Sequence, residues 1–343
     1  MVSAYISGTG SFVPPRAITN KALIDDFGIQ TSEKWIQERT GIEERRYAEA
    51  GVGPSDMAVH AAHRALEAAG LAAHDLDLIV FATLSPEHAF PGSGVYLQEK
   101  LGLCEGDNRR FVPALDVRNQ CSGFLYGLSV ATAHVRAEMA EHVLVVGAEA
   151  HSAALDLTTR GRSIASLFGD GAGAVVVSAT SASRGIRSIN LGADGRFAGI
   201  LAQKVWDTRK RPFIPVDADG RGIIAPKMLW ANMDGRVVFK HAVTRMTEAL
   251  EELCRSHGIG IQDLDLLFFH QANLRINQYV AKKLGLAPEK VPHNIERYGN
   301  TTAATLPLLL DENVRNGRLK PGMKVAMTAF GSGFTWGAAL IDW

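Results

Sequence analysis

The chain has 343 residues, 46% of them apolar and 21% charged, with 36 basic side chains against 36 acidic ones. That apolar fraction suits a folded core and excludes disorder, and zero net charge leaves no global basic field for a nucleic acid. Three cysteines in this length are too few for a disulfide framework, so reduced thiols and a cytoplasmic setting are expected.

The N-terminal MVSAYISGTGSF lacks the basic region, apolar stretch and cleavage site of a secretory signal. Residues 55–70 form an amphipathic pattern that leads through Asp75-Leu76-Asp77-Leu78 into an apolar strand over 76–83. A strand-like ALDV then meets the polar turn that carries Cys121. The charge-free run from Asn119 to Val135 is too short and too polar to span a membrane, and reads as a helix buried on all sides. Strands are expected over 142–150 and 173–179. The segment 192–226, rich in Gly, Pro and charge, reads as a long irregular connection, a kind of loop that is usually functional or mobile. An amphipathic helix over 239–258 leads through a second Asp-Leu-Asp-Leu into a strand over 264–271, and a last run spans 324–330.

The two Asp-Leu-Asp-Leu units, Asp75 and Asp263 at their heads, lie 188 residues apart. Phe168-Gly169-Asp170-Gly171 before AGAVVV is echoed by Phe330-Gly331-Ser332-Gly333 before FTWGAALI. This is the pattern of a duplicated α/β half, with mostly parallel sheets covered by helices. The division is placed at 180: residues 1–180 carry Cys121, and residues 181–343 carry His270 and Asn300.

Three residues could bear chemistry. Cys121 stands between a strand and a helix start, where the helix dipole favours a thiolate; a buried structural thiol is the alternative. Cys104 and Cys254 fit the structural reading. His270 directly follows a strand, at the sheet edge where α/β sites form, and Gln271, Asn273 and Arg275 follow it. Asn300, in Tyr-Gly-Asn-Thr-Thr, is either a helix cap or an amide donor to a developing oxyanion. The run Gly169 to Gly173 enters a strand instead of opening a helix, so it is not a phosphate loop. No metal-ligand spacing is present, and no metal is expected.

Cys121-Ser122-Gly123-Phe124, with Trp35-Ile36 and Arg39-Thr40-Gly41-Ile42, Phe168 to Gly173, HQANLRI at 270–276, GNTTAA at 299–304 and FGSGFTWG at 330–337, resembles β-ketoacyl-acyl-carrier-protein synthase III of the thiolase superfamily. The likeness runs nearly end to end. It implies a thiolase-like duplicated five-layer αβαβα fold and a homodimer without nucleic-acid or membrane partners. It also implies a reaction: Cys121 takes an acyl group from acyl-CoA, and decarboxylative Claisen condensation with malonyl-acyl carrier protein follows, in fatty acid initiation or a related pathway. The catalytic set is then Cys121, His270 and Asn300, with the backbone N–H groups of Cys121 and Ser332 as oxyanion hole. By the same resemblance Trp35, Arg39, Thr40 and Arg160 lie near the CoA nucleotide, and Gly235, Phe239, Ala272 and Asn273 line the pantetheine tunnel. Phe90 reaches into the partner's acyl pocket and Phe330 lines one, while Lys240, Arg275, Lys282 and Lys283 dock the carrier protein. CoA enters as substrate, with no cofactor.

Two departures bear on the starter group. Arg118-Asn119-Gln120 stands before the nucleophile where acetyl-using members tend to have small apolar residues, and the 192–226 connection is long. The alternatives are a condensing enzyme of secondary metabolism with a longer or unusual primer, transfer to another nucleophile, and a non-condensing acyl-CoA binder.

Overall fold

The computed structural model describes residues 2–205 and 207–343. Its two main sheets use nine strands: β1 (Ser3–Phe12), β2 (Leu78–Ala82), β3 (Ala114–Val117), β4 (His142–Glu149), β5 (Gly171–Thr180), β6 (Gly185–Ala193), β7 (Leu266–Phe269), β8 (Lys324–Gly331) and β9 (Thr335–Asp342). Six helices matter for the site: α1 (Pro54–Ala69), α2 (Ser93–Lys100), α3 (Gly123–Arg136), α4 (Gly235–Ser256), α5 (Leu274–Lys283) and α6 (Thr305–Arg315).

The first sheet has the order β1-β5-β4-β2-β3, and the second β7-β8-β9-β6. In the first, β2 runs parallel to β4, and β5 runs antiparallel to both β4 and β1. The second repeats this: β7 runs parallel to β8, and β9 antiparallel to both β8 and β6. Only the outer strand β3 has no counterpart. The repeated sequence units lead into β2 and β7, which occupy the same place in the two sheets, so the duplication seen in sequence is a duplication of topology.

Burial explains why these strands are continuous apolar runs. Along β4, Val143 and Val145 face a core shared with α3, α6 and the second sheet, while Leu144 and Val146 face α1 and α2. The second sheet's far face packs on α4 and α5 through Leu267, Phe269, Leu250 and Val280. The result is five layers, α–β–α–β–α, with α3 and α6 in the middle. The expected all-round burial of α3 holds only in part: Phe124, Leu125, Leu128, Ala131 and Val135 are fully buried between the sheets, whereas Tyr126, Ser129, Val130 and His134 are half-buried and Ala133 is exposed. Cys254 lies buried in α4, and the Cys104 thiol donates to Gln98 Oε1 at 3.3 Å. Among the described residues, no helix is long and apolar enough to cross a membrane.

The long connection is anchored at its base. Leu201–Ala202 pairs antiparallel with Asn232–Met233, and the Ile200 carbonyl accepts from Asp234 N–H at 3.0 Å. Asp234 then caps α4 through the N–H groups of Arg236 and Val237.

Candidate active site

Cys121 sits in a single 3₁₀ turn (Gln120–Ser122) between the end of β3 and the start of α3. Gln120 before it adopts φ 47°, a left-handed conformation that turns the chain sharply. The next contact comes from the opposite half of the molecule. Gly331, at the end of β8, lies so close that a Cβ there would stand 2.7 Å from Cys121 Cβ. This lets the Ser332 N–H reach the Cys121 sulfur, which also receives the N–H of Cys121 itself. Ser122 Oγ and Thr335 Oγ1 bond at 2.7 Å, and Thr335 Oγ1 donates to the Ser332 carbonyl at 3.0 Å, which fastens the two backbones together.

The expected lowering of the thiol pKa is not found. Burial pushes Cys121 up to about 12, and the carboxylate of Glu149 adds to the rise, against the two N–H groups that lower it. The helix dipole acts on a thiol that is buried, and desolvation outweighs it. Glu149 is itself fully buried and pushed up to about 7 by burial. It accepts from Ser85 Oγ at 2.6 Å, from Thr83 Oγ1 and Leu84 N at 3.2 Å, and from Ala303 N at 3.5 Å. The sequence held no local signal for Glu149. Its neighbours come from three distant segments.

His270 follows β7, where its N–H donates to the Thr328 carbonyl at 2.9 Å. Its Nδ1 bonds Thr305 Oγ1 at 2.6 Å, and its Nε2 is buried without a partner. Burial drives the imidazole pKa down to about 3, so the ring is neutral at physiological pH. Asn300 is locked by backbone on both sides: its N–H donates to the Leu167 carbonyl at 2.8 Å, and its carbonyl accepts from Gly169 N–H at 3.1 Å. Its Oδ1 accepts from Thr302 N–H at 2.8 Å, which leaves the Nδ2 hydrogens as the side chain's free donors.

One cleft brings these groups together. Cys121, His270, Asn300, Gly235, Phe239, Ala272, Asn273 and Phe330 all line it. Phe168, Ile276 and Gly331, which belong to the motifs at 168–173, 270–276 and 330–337, line it as well, and the rest of its wall lies outside those motifs. Val238, Ala242 and Met246 join Gly235 and Phe239 on one face of α4, at helical spacing, with Leu201, Met233 and Ile276 opposite. The 3.6-residue period of that face was the signal available for them.

The remaining candidates lie outside the cleft wall. Trp35 is half-buried, with the guanidinium carbons of Arg39 and Arg162 at 4.6 and 5.4 Å from its ring centre. Arg162 was not named from sequence. Asn273 caps α5 through Arg275 N–H and donates from Nδ2 to the Arg39 carbonyl at 2.9 Å, tying the Trp35 helix to the cleft wall. Arg160 is exposed and paired with Asp156 at 2.6 Å. Thr40, expected near the CoA nucleotide, has no hydroxyl hydrogen left to offer it. It is buried, and its hydroxyl is committed to the Ile36 carbonyl and the Ile42 N–H, because it closes the C-terminal turn of its own helix. Lys240, Arg275, Lys282 and Lys283 are exposed on neighbouring helices α4 and α5. Phe90 is 85% exposed and does not line this cleft. None of Arg118, Asn119 and Gln120 lines the cleft, whereas Leu201 and Met233, at the base of the long connection, do.

The chain is similar to known proteins of one family. Models of the 3-oxoacyl-(acyl-carrier-protein) synthase III family match residues 115–195, and of its C-terminal part residues 254–343. The β-ketoacyl-(acyl-carrier-protein) synthase III 1 of Vibrio parahaemolyticus is 43% identical over 336 residues, covering 98% of each chain. The crystal structure of 3-oxoacyl-(acyl-carrier-protein) synthase III from Aquifex aeolicus superposes with a TM-score of 0.86 at 37% identity, over 99% of this chain and 100% of that one. The Thermus thermophilus enzyme of the same description gives a TM-score of 0.87 at 38% identity, over 99% of each chain.

Proposed function

The chain belongs to the 3-oxoacyl-(acyl-carrier-protein) synthase III family, and from that premise we propose that its cleft joins an acyl group from acyl-CoA to malonyl-acyl carrier protein. The observation that carries this reading is the convergence, in one apolar cleft, of a buried thiol met by two backbone N–H groups with a neutral imidazole and a side-chain amide whose oxygen is already taken.

In the first half-reaction the Cys121 sulfur attacks the thioester carbon. The N–H groups of Cys121 and Ser332, already aimed at the sulfur, are within reach of the oxygen that becomes negative beside it. CoA leaves as a thiol carrying the proton that Cys121 gives up. A thiol near pKa 12 is a poor nucleophile until that proton moves, so acylation couples proton loss to the presence of the thioester. In the second half-reaction the malonyl group loses CO2, and the bonding pair becomes an enolate whose oxygen His270 and Asn300 stabilise as neutral donors. The enolate carbon then forms the new bond to the acyl carbon, and the Cys121 thiolate departs and takes a proton from solvent. Loss of CO2 drives the step.

Trp35, Arg39 and Arg160 are assigned to the nucleotide end of CoA, with Arg162 added from its place over Trp35. Gly235, Phe239, Ala272 and Asn273 are assigned to the pantetheine arm, Phe330 to the acyl pocket, and Lys240, Arg275, Lys282 and Lys283 to an acidic carrier protein. A homodimer is supported by strand β3, which ends its sheet with Leu115 and nearby Phe111 and Phe90 exposed.

The test is intact-protein mass spectrometry after incubation with acyl-CoAs from acetyl to dodecanoyl. An acyl adduct is expected on the native chain and none on Cys121→Ala. An adduct that survives in the variant overturns the assignment of the nucleophile.

A further inference from the structure

Thr305 ends the Thr-Thr-Ala-Ala-Thr run after Asn300, and among the described residues its hydroxyl is the side-chain partner of the His270 ring. A hydroxyl has one proton to give, and two acceptors compete for this one. It lies 2.6 Å from His270 Nδ1 and 3.0 Å from the Thr302 carbonyl. The Thr302 carbonyl already accepts the Thr305 backbone N–H. Both separations fit a hydroxyl donor, and the shorter one runs to Nδ1. With the Thr302 carbonyl already served by the Thr305 N–H, the acceptor left without another donor is Nδ1.

This has a consequence at the other end of the ring. In a neutral imidazole one nitrogen carries hydrogen and the other accepts, and the hydrogen bond at one decides the state of the other. With Nδ1 accepting from Thr305, Nε2 carries the hydrogen. Nε2 is the ring atom that is buried without a partner, and His270 lines the cleft beside Cys121 and Asn300. We propose that Thr305 is a positioning residue that fixes the Nε2–H tautomer of His270, making it a hydrogen-bond donor to the cleft and denying it the lone pair needed to take a proton from Cys121.

The inference rests on the function proposed above and deepens it, because it divides the two half-reactions. Acylation of Cys121 proceeds without His270 as base. Enolate formation depends on the Nε2–H, hence on Thr305. The steric frame is separate: Thr305 opens α6 and is buried there, so a side chain of equal shape without a hydroxyl keeps the packing.

The two half-reactions are measured separately on the native chain, Thr305→Val, Thr305→Ser and His270→Ala. Acylation is followed by adduct mass from acyl-CoA, and condensation by release of CO2 from malonyl-acyl carrier protein with the acylated enzyme. Thr305→Val is expected to acylate within twofold of the native rate and to condense roughly tenfold more slowly, a partial form of the loss seen when an oxyanion donor is removed. Thr305→Ser is expected to restore condensation. Nitrogen-15 NMR of labelled histidine in the native chain, with His270→Ala as the assignment control, is expected to show Nε2 protonated. An Nδ1–H tautomer in the native chain overturns the proposal even where Thr305→Val fails to fold, and so does Thr305→Val condensing at the native rate. If His270→Ala condenses normally, the assigned role of the histidine fails instead.

Discussion

At the scale of single residues, the site depends on one missing side chain. Gly331 approaches Cys121 so closely that a Cβ would meet Cys121 Cβ at 2.7 Å and its backbone nitrogen at 3.0 Å. Backbone cannot yield as a flexible side-chain tip does, so Gly331→Ala must push β8 and Ser332 away from the sulfur. Acylation of Cys121, followed by adduct mass against time, is expected to slow about a hundredfold, the order seen when one oxyanion donor is lost, while circular dichroism stays native. The neighbouring device is Thr302, a β-branched residue at φ 50°. Its N–H holds Asn300 Oδ1, and its hydroxyl meets Nε2 of the buried His151. Cys121, His270 and Asn300 were legible from sequence because each stands at a turn beside a recognisable element. Thr302, Thr305 and Glu149 were not, because their roles exist only through partners from elsewhere in the fold, and neither was the high pKa of Cys121, which burial decides.

At the scale of elements, the strands β2, β4, β5, β7 and β8 were readable as apolar runs because helices cover both faces of each sheet. β1 was not. Its sequence SAYISGTGSF is interrupted by Gly8 and Gly10, whose missing side chains admit α1: a Cβ at either would stand 2.1 or 2.2 Å from the carbonyl of Ala65 or Ala61. Close helix–strand contact thus removed the apolar pattern that would have announced the strand. The edge strand β3 carries a prediction. Asp116 on it accepts from Ser93 and Gly94 N–H and so caps α2, while Leu115 beside it is 43% exposed. Leu115→Lys leaves the cap intact and places charge on the open edge. For the homodimer proposed above, sedimentation velocity is expected to show a shift toward monomer with at least a tenfold weaker association; unchanged sedimentation, or a native chain that already sediments as a monomer, overturns this edge as its interface.

At the scale of the whole molecule, buried titratable groups shape stability against pH. His151 and His270 are each driven down to about 3 by burial, from an ordinary 6.5. Each must gain a proton on unfolding below 6.5, so their contribution is present above that pH and is lost as pH falls toward 3. Glu149, raised from 4.5 to about 7, acts in the opposite sense: it binds a proton when folded, and its contribution is lost as pH rises from 4.5 to 7. Between 4.5 and 6.5 the two histidines are opposed by Glu149 and, in the same sense, by the buried Asp170, also raised by burial, so these groups leave the fold weaker on acidification by on the order of 1 kcal/mol from pH 6.5 to 5. Urea unfolding at pH 6.5 and 5 is expected to show that loss, smaller in His151→Phe and larger in Glu149→Gln. The duplication was legible in the sequence, and the family resemblance set Cys121 beside His270, Asn300 and Ser332 of the other half; the bare approach of Gly331 to Cys121 that closes the contact was not.

The burial that holds Cys121 near pKa 12 also bears on its survival. Peroxides and small alkylating agents attack the thiolate, and the burial that raises this thiol keeps the resting molecule protonated at neutral pH. An enzyme that waits between substrates with its sulfur protonated and shielded is chemically quiet toward oxidants, and becomes vulnerable only in the brief interval after each turnover when the leaving thiolate has not yet regained its proton.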